Sequence, residues 1–239
     1  MIQRERKTAP SNRIRELQAQ IRRCERAAVS TQNSFSTGCR GIDALLPAGG
    51  LQPGNLLEWI GMGPASGAGT LSLLVAWQVR QQRGPFVLID SRRHVSPLAL
   101  SALGFDLAQV VTIHPESSQE KLWVCEQALR CPGVGVVWVE LGQLSSTEFR
   151  RLQLAAEESA GFGFIVRPEK ALPHPSWAEA RLLVEPRISH KASPAFDIQV
   201  VYSRGKATRS QNIIQIDSQN GALYEVQPAN QANTVPLVS

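Results

Sequence analysis

Apolar positions along the chain alternate between two patterns. Leu56-Leu57-Glu58-Trp59-Ile60, Phe86-Val87-Leu88-Ile89-Asp90, Val110-Val111-Thr112-Ile113, Val134 to Val139 and Gly161 to Val166 are short, nearly continuous apolar runs. Such runs suit strands buried on both faces. Between them, Leu71 to Val79, Pro97 to Leu103, Ser117 to Arg130 and Ser145 to Ala160 carry helical spacing, as in Phe149, Leu152 and Ala156. Ser117 or Ser118, and Ser145 or Ser146, stand where N-caps are expected. This alternation from 56 to 166 predicts an α/β fold, a mostly parallel central sheet with helices on both faces.

Both ends depart from that rhythm. Ile14, Leu17, Ile21, Cys24 and Ala28 are spaced by 3, 4, 3 and 4 residues, one stripe of an amphipathic helix. A polar linker, Ser30 to Ser36, separates it from the rest, so the stripe docks on the body of the same chain, on a neighbouring subunit or on another protein. Downstream, Ser176 to Val184 reads as a segment re-entering the sheet and Phe196 to Tyr202 as an alternating strand. Ile213 to Ile216 and Ala222 to Val226 flank Asn220-Gly221, a pair suited to a type I′ hairpin turn. The predicted organisation is a basic N-terminal arm and helix over 1–33, a core over 34–226 ending in a β-hairpin, and a tail over 227–239 too poor in apolar residues to order itself.

Charge sharpens the picture at the N-terminus. Residues 1–33 hold eight Lys and Arg against three Glu, an excess equal to the whole net charge of +5. A basic arm of this kind binds nucleic acid, an acidic partner or nothing. Cys24, Cys39, Cys125 and Cys131 form no C-x-x-C pair, and the four histidines lie far apart. Ordinary reduced thiols and no metal site are expected. No apolar run approaches the roughly 18 residues of a membrane span, and no signal-peptide core follows Met1 to Thr8, so a cytoplasmic protein without membrane contact is expected.

The candidate chemistry lies at Gly61-Met62-Gly63-Pro64-Ala65-Ser66-Gly67-Ala68-Gly69-Thr70, between a predicted strand and a predicted helix. Against the phosphate-loop pattern G-x-x-x-x-G-K-[ST], Gly63 and Thr70 fit, Ala68 replaces the second glycine, and Gly69 stands in place of the lysine. Backbone N–H groups and a hydroxyl remain to attract phosphate, while the cation is missing. The plainer alternative is a glycine-rich turn unrelated to nucleotides. Val134 to Val139 ends at Glu140, an apolar strand closed by an acid as in a Walker B segment, but degenerate: the magnesium-holding residue there is normally an aspartate, and Glu140 keeps the charge on a side chain one methylene longer.

Upstream of the loop, Ser36-Thr37-Gly38, Ile42-Asp43, Gly49-Gly50-Leu51 and Pro53-Gly54 follow in order, and Gly63-Pro64 opens the loop itself. Together with Leu103-Gly104-Phe105-Asp106 they resemble the RecA-type ATPase core. That resemblance implies a RecA-like P-loop fold and places the glutamate that polarises water at the position of Arg92. It also places Arg167 at a polar sensor position. The links after Glu140 and from Arg167 to Pro175 are shorter than the family's two DNA-binding loops.

Within that group, the short chain, basic N-terminal helix and altered loop are similar to the ImuA family. The resemblance implies an accessory protein of SOS-type DNA repair and error-prone translesion synthesis, cytoplasmic and nucleoid-associated. It implies no catalytic residues and no cofactor beyond weak ATP or ADP binding at Gly63, Pro64, Ser66, Gly67, Ala68, Gly69 and Thr70. The expected partners are an ImuB-like polymerase-related protein, RecA and an error-prone polymerase subunit, met through Ile14, Leu17, Ile21, Arg22 and Arg23. Two alternatives stay open: an active ATPase completed in trans by Arg204 or Lys206, and a DNA-binding module using the basic arm.

Overall fold

The computed structural model describes residues 34–63, 65–80, 84–188, 193–204 and 210–226. The N-terminal stripe, Pro64, Lys206 and the tail therefore lie outside the described residues.

In chain order the elements are α1 (Arg40–Asp43), β1 (Leu56–Gly61), α2 (Ala68–Arg80), β2 (Phe86–Ile89), α3 (Pro97–Ala102), β3 (Val110–Ile113), α4 (Ser118–Arg130), β4 (Val136–Glu140), α5 (Ser146–Ser159), β5 (Phe162–Pro168), β6 (Ala180–Arg187), β7 (Ala195–Ser203), β8 (Gln211–Ile216) and β9 (Leu223–Val226). They build one sheet in the order β3-β2-β4-β5-β1-β6-β7-β8-β9. β1 to β6 run parallel, and β7, β8 and β9 add antiparallel strands beyond β6.

Period-two alternation in fully buried strands divides the core into two layers. Val136 and Trp138 of β4 pack with α1 and α2 on one face. Val137 and Val139 pack with Cys125 and Leu129 of α4 and Phe149 and Leu152 of α5 on the other. Helices thus cover both faces, as the alternating sequence predicts. Ser117 caps α4 by accepting from Glu120 N–H at 3.1 Å, and Ser145 caps α5 in a reciprocal capping box with Glu148.

The segment before β1 has a local logic. Asp43 accepts hydrogen bonds from Ser36 Oγ (2.6 Å), Thr37 N–H (2.8 Å) and Thr37 Oγ1 (2.7 Å), folding Ser36 to Asp43 onto itself. Gly38 sits at φ +81°, and a Cβ there would lie 2.9 Å from Gln78 of α2. The serine, threonine, glycine and aspartate of this segment are one clamp that lays the turn before α1 against α2, while α1 itself packs on β8 and β9.

One sequence expectation is corrected at the C-terminal hairpin. Ile216 pairs with Leu223, so the connection runs over six residues, 217–222. Within Asn220-Gly221 only Gly221 has a positive φ, +70°, whereas a type I′ turn requires it at both central residues. Asp217 closes the longer loop instead, with its N–H donating to Ala222 O at 2.8 Å and its carbonyl accepting from Gly221 N–H at 2.9 Å.

Candidate functional site

The C-terminal ends of β1, β2, β4 and β5 open on one cleft of about 770 Å³. This is the edge at which open α/β sheets bind ligands. The loop after β1 forms one wall, with positive φ at Gly63 (+74°), Ala65 (+56°) and Gly67 (+83°). Ser66 is buried, and its Oγ accepts from Ala68 N–H at 3.4 Å. α2 then starts at Ala68, and Leu71 N–H donates to Gly67 O at 2.9 Å. Strand, loop and helix therefore follow as the sequence predicts.

Gly67 is fixed by packing as well as by conformation. A Cβ on it would stand 2.1 Å from the ring of Phe196 in β7, so the antiparallel part of the sheet closes directly on the loop. The first turn of α2 is tied to β4: Trp138 Nε1 donates to Ser72 Oγ at 2.8 Å, and Ser72 Oγ donates to Gly69 O at 2.8 Å. A Cβ on Gly69 would stand 3.8 Å from Glu140 Oε1. Gly69 thus faces the acid that ends β4, and Thr70 beside it is exposed.

Ser66, Gly67, Ala68, Gly69, Thr70, Gly63, Arg92 and Glu140 all line this cleft, so the structure gathers the described loop residues and both other altered positions. Arg92 is exposed and forms no ion pair with Glu140 or any other carboxylate among the described residues. No group of three or more His, Cys, Asp and Glu side chains among the described residues is arranged to hold a metal ion.

Arg167 departs from the role of a sensor on the cleft surface. Its Nη1 donates to Glu58 Oε1 at 2.8 Å, its Nε donates to Gly142 O at 3.1 Å, and the guanidinium lies 5.7 Å from the Phe149 ring centroid. Burial lowers its pKa, and the Glu58 carboxylate opposes that shift. Of the two cations weighed for action in trans, Arg204 is within 3.7 Å of Glu179 in its own chain.

Sequence reading passed over Lys121, Lys170, Glu58 and Arg181. Lys121 and Lys170 line the cleft, and Arg181 joins Arg167 around Glu58. Two signals pointed to them: Glu58 is the one charge in an apolar strand, and Lys121 lies four residues before buried Cys125 on the apolar stripe of α4.

Comparison with known proteins places this geometry. Over 107 residues the chain is 27% identical to Protein RecA of Clostridium novyi, a match covering 45% of this chain and 30% of that protein. Over 137 residues it is 31% identical to Protein ImuA of Caulobacter vibrioides, covering 55% of this chain and 56% of ImuA. These matches span less than two thirds of each relative. The crystal structure of the RadB recombinase superposes with a TM-score of 0.62 at 15% identity, over 80% of this chain and 99% of that one, which shows a shared fold. No helix among the described residues is long and apolar enough to cross a membrane. The RecA N-terminal domain profile matches residues 17–144, more than half of the chain, and the chain belongs to that family.

Proposed function

We propose that this protein is a non-hydrolysing RecA-like accessory factor of damage-induced mutagenesis. In this reading it works in SOS-type error-prone translesion synthesis, in the cytoplasm and at the nucleoid. It acts by contacts with an ImuB-like polymerase-related protein, with RecA and an error-prone polymerase subunit as further contacts. Similarity to ImuA supports the pathway. The observation that carries the loss of hydrolysis is Gly69: the helix start that should present a cation to phosphate presents bare backbone to Glu140. Phosphoryl transfer depends on neutralising and positioning charge, and an arginine at position 92 cannot act as the base that orients water.

The test is ATP turnover by purified full-length protein, with and without single-stranded DNA. Turnover at the background level, unchanged by Thr70→Ala, is expected. Turnover that Thr70→Ala abolishes would overturn the reading. The partner part is checked separately with Leu17→Asp, which should end co-purification with the ImuB-like protein while leaving the melting temperature of the core unchanged. A large fall in melting temperature would instead place the stripe on the protein's own core.

A further inference from the structure

A second hollow, of about 380 Å³, opens between the turn after β2 and the link from β3 to α4. It shares Arg92 and Lys121 with the rim of the cleft, but none of the described loop residues between Gly61 and Thr70 lines it. Its walls carry Arg92, Arg93, His114 and Lys121 against one carboxylate, Glu116. None of these five side chains has an ion-pair partner among the described residues.

The turn that presents the arginines is pinned to one buried residue. Asp90, 6% exposed and just past β2, donates its N–H to Ile113 O at 3.0 Å, and its Oδ2 accepts from Val95 N–H at 2.8 Å. Its carbonyl accepts from Arg93 N–H at 3.3 Å and from His114 Nδ1 at 2.6 Å. A carbonyl can only accept, so Nδ1 carries the hydrogen and Nε2 is the nitrogen left to a ligand. Arg93 itself holds φ +56°, a left-handed conformation that glycine takes without strain. An arginine kept there points to a use for its side chain.

Lys121 reaches the same hollow from α4, its Nζ donating to Glu140 O at 3.2 Å. Burial first, and the Arg92 guanidinium second, lower its pKa below the ordinary 10.5, with Glu140 and Asp90 opposing. Like charges held this close are relieved by an anion seated between them. The lining narrows the kind of anion. No Phe, Tyr or Trp takes part in it, whereas surfaces for single nucleic-acid strands join their cations to aromatic stacking platforms. Guanidinium forks match carboxylates in a bidentate way. Residues 227–239 contain no Asp or Glu, so the chain's own C-terminal segment cannot supply them.

We propose that this hollow docks an acidic segment of a partner protein, with neighbouring Asp or Glu side chains taken by Arg92, Arg93 and Lys121. The contact is separate from the loss of hydrolysis and from the N-terminal stripe, so its failure leaves both of those readings untouched.

Fluorescence anisotropy of a labelled decapeptide of alternating Asp and Glu, titrated with the full chain, tests it. Binding by the natural sequence is expected, weakened about tenfold or more by Arg92→Ser combined with Arg93→Gly, and weakened also by Lys121→Met. The double variant should melt no lower than the natural sequence, since glycine relieves the left-handed backbone. Arg22→Ser combined with Arg23→Ser removes the same charge from the N-terminal arm and should leave the affinity within about twofold. Absence of binding, equal binding by the folded double variant, or an equal loss in the arm variant overturns the proposal. A thymidine oligonucleotide that binds more tightly than the peptide, and is lost in the same double variant, would assign the surface to nucleic acid and overturn it as well.

Discussion

Glu58 and Arg167 form a fully buried ion pair, Oε1 to Nη1 at 2.8 Å, between the adjacent strands β1 and β5. Arg181 of β6 brings its Nε within 2.7 Å of the other carboxylate oxygen, a charge contact rather than an aligned hydrogen bond. The two arginines reach outward as well. Arg167 donates to Gly142 O in the link after β4, and Arg181 donates to Ala171 O (2.8 Å), Leu172 O (3.2 Å) and His174 O (3.1 Å) in the link after β5. One carboxylate thereby anchors both short loops on the rim of the cleft.

Removing that carboxylate leaves two buried guanidinium groups without a counter-charge. Glu58→Gln should cost about 3–5 kcal/mol of stability, the usual loss when one member of a buried pair is removed. Urea unfolding measures it. Amide exchange in the native state should quicken at 141–144 and 171–175 ahead of the remaining sheet, because those loops lose their anchor. A loss below about 1 kcal/mol would mean that water, not Glu58, compensates the arginines.

Much of this was readable from residue order because both faces of the parallel strands are covered, which forces apolar runs such as Val136 to Val139 into view. The loop was legible for a related reason, since Gly63 and Gly67 are needed at positive φ. Arg167 was not. A charged residue ending an apolar strand reads as solvent-facing, and its partner Glu58 lies 109 positions away, joined only when β1 pairs with β5. Lys121 was hidden by the same kind of distance, being 19 positions from Glu140. At the hairpin, the local preference of Asn220-Gly221 was overruled by the loop closed at Asp217.

The capping box of α5 makes a pH prediction. Hydrogen bonds from the Ser145 backbone and hydroxyl lower the Glu148 pKa below its ordinary 4.5. A depressed carboxyl pKa contributes stability that is present above 4.5 and lost as pH falls through the folded value. Ser145→Ala should therefore cost about 1 kcal/mol at neutral pH, and the gap to the natural sequence should narrow below pH 4.5. Thermal melts at stepped pH would show it; a gap that stays constant into acid would mean the carboxylate takes no part.

Thiol reactivity separates the described cysteines. Burial pushes the Cys125 thiol up to about 12, and burial raises Cys39 too, whereas Cys131 is exposed at the end of α4. The thiolate is the reactive form, so buried thiols of this kind are inert. Brief maleimide treatment of the native protein followed by peptide mass analysis should find Cys131 labelled and Cys39 and Cys125 unlabelled until denaturant is added. Early labelling of Cys125 would show that α4 opens away from the sheet.

Two glycines of the loop should respond differently to alanine. At Gly63 (φ +74°) an added Cβ would meet nothing within 4 Å, so Gly63→Ala faces only the left-handed backbone, at about 1–2 kcal/mol. Gly67 carries the same conformational cost, and its Cβ would also stand 2.1 Å from Phe196. Overpacking adds roughly 1–3 kcal/mol, making Gly67→Ala the more damaging change. Phe196→Ala removes the obstructing ring at the expense of a core cavity. In the double variant the clash is gone while the backbone strain remains, so its loss of stability should fall short of the two single losses combined by about 1–3 kcal/mol. Equilibrium unfolding of the four proteins measures that coupling. Strict additivity would mean that Phe196 does not close on the loop, and the contact between the C-terminal strands and the phosphate-loop turn would be lost with it.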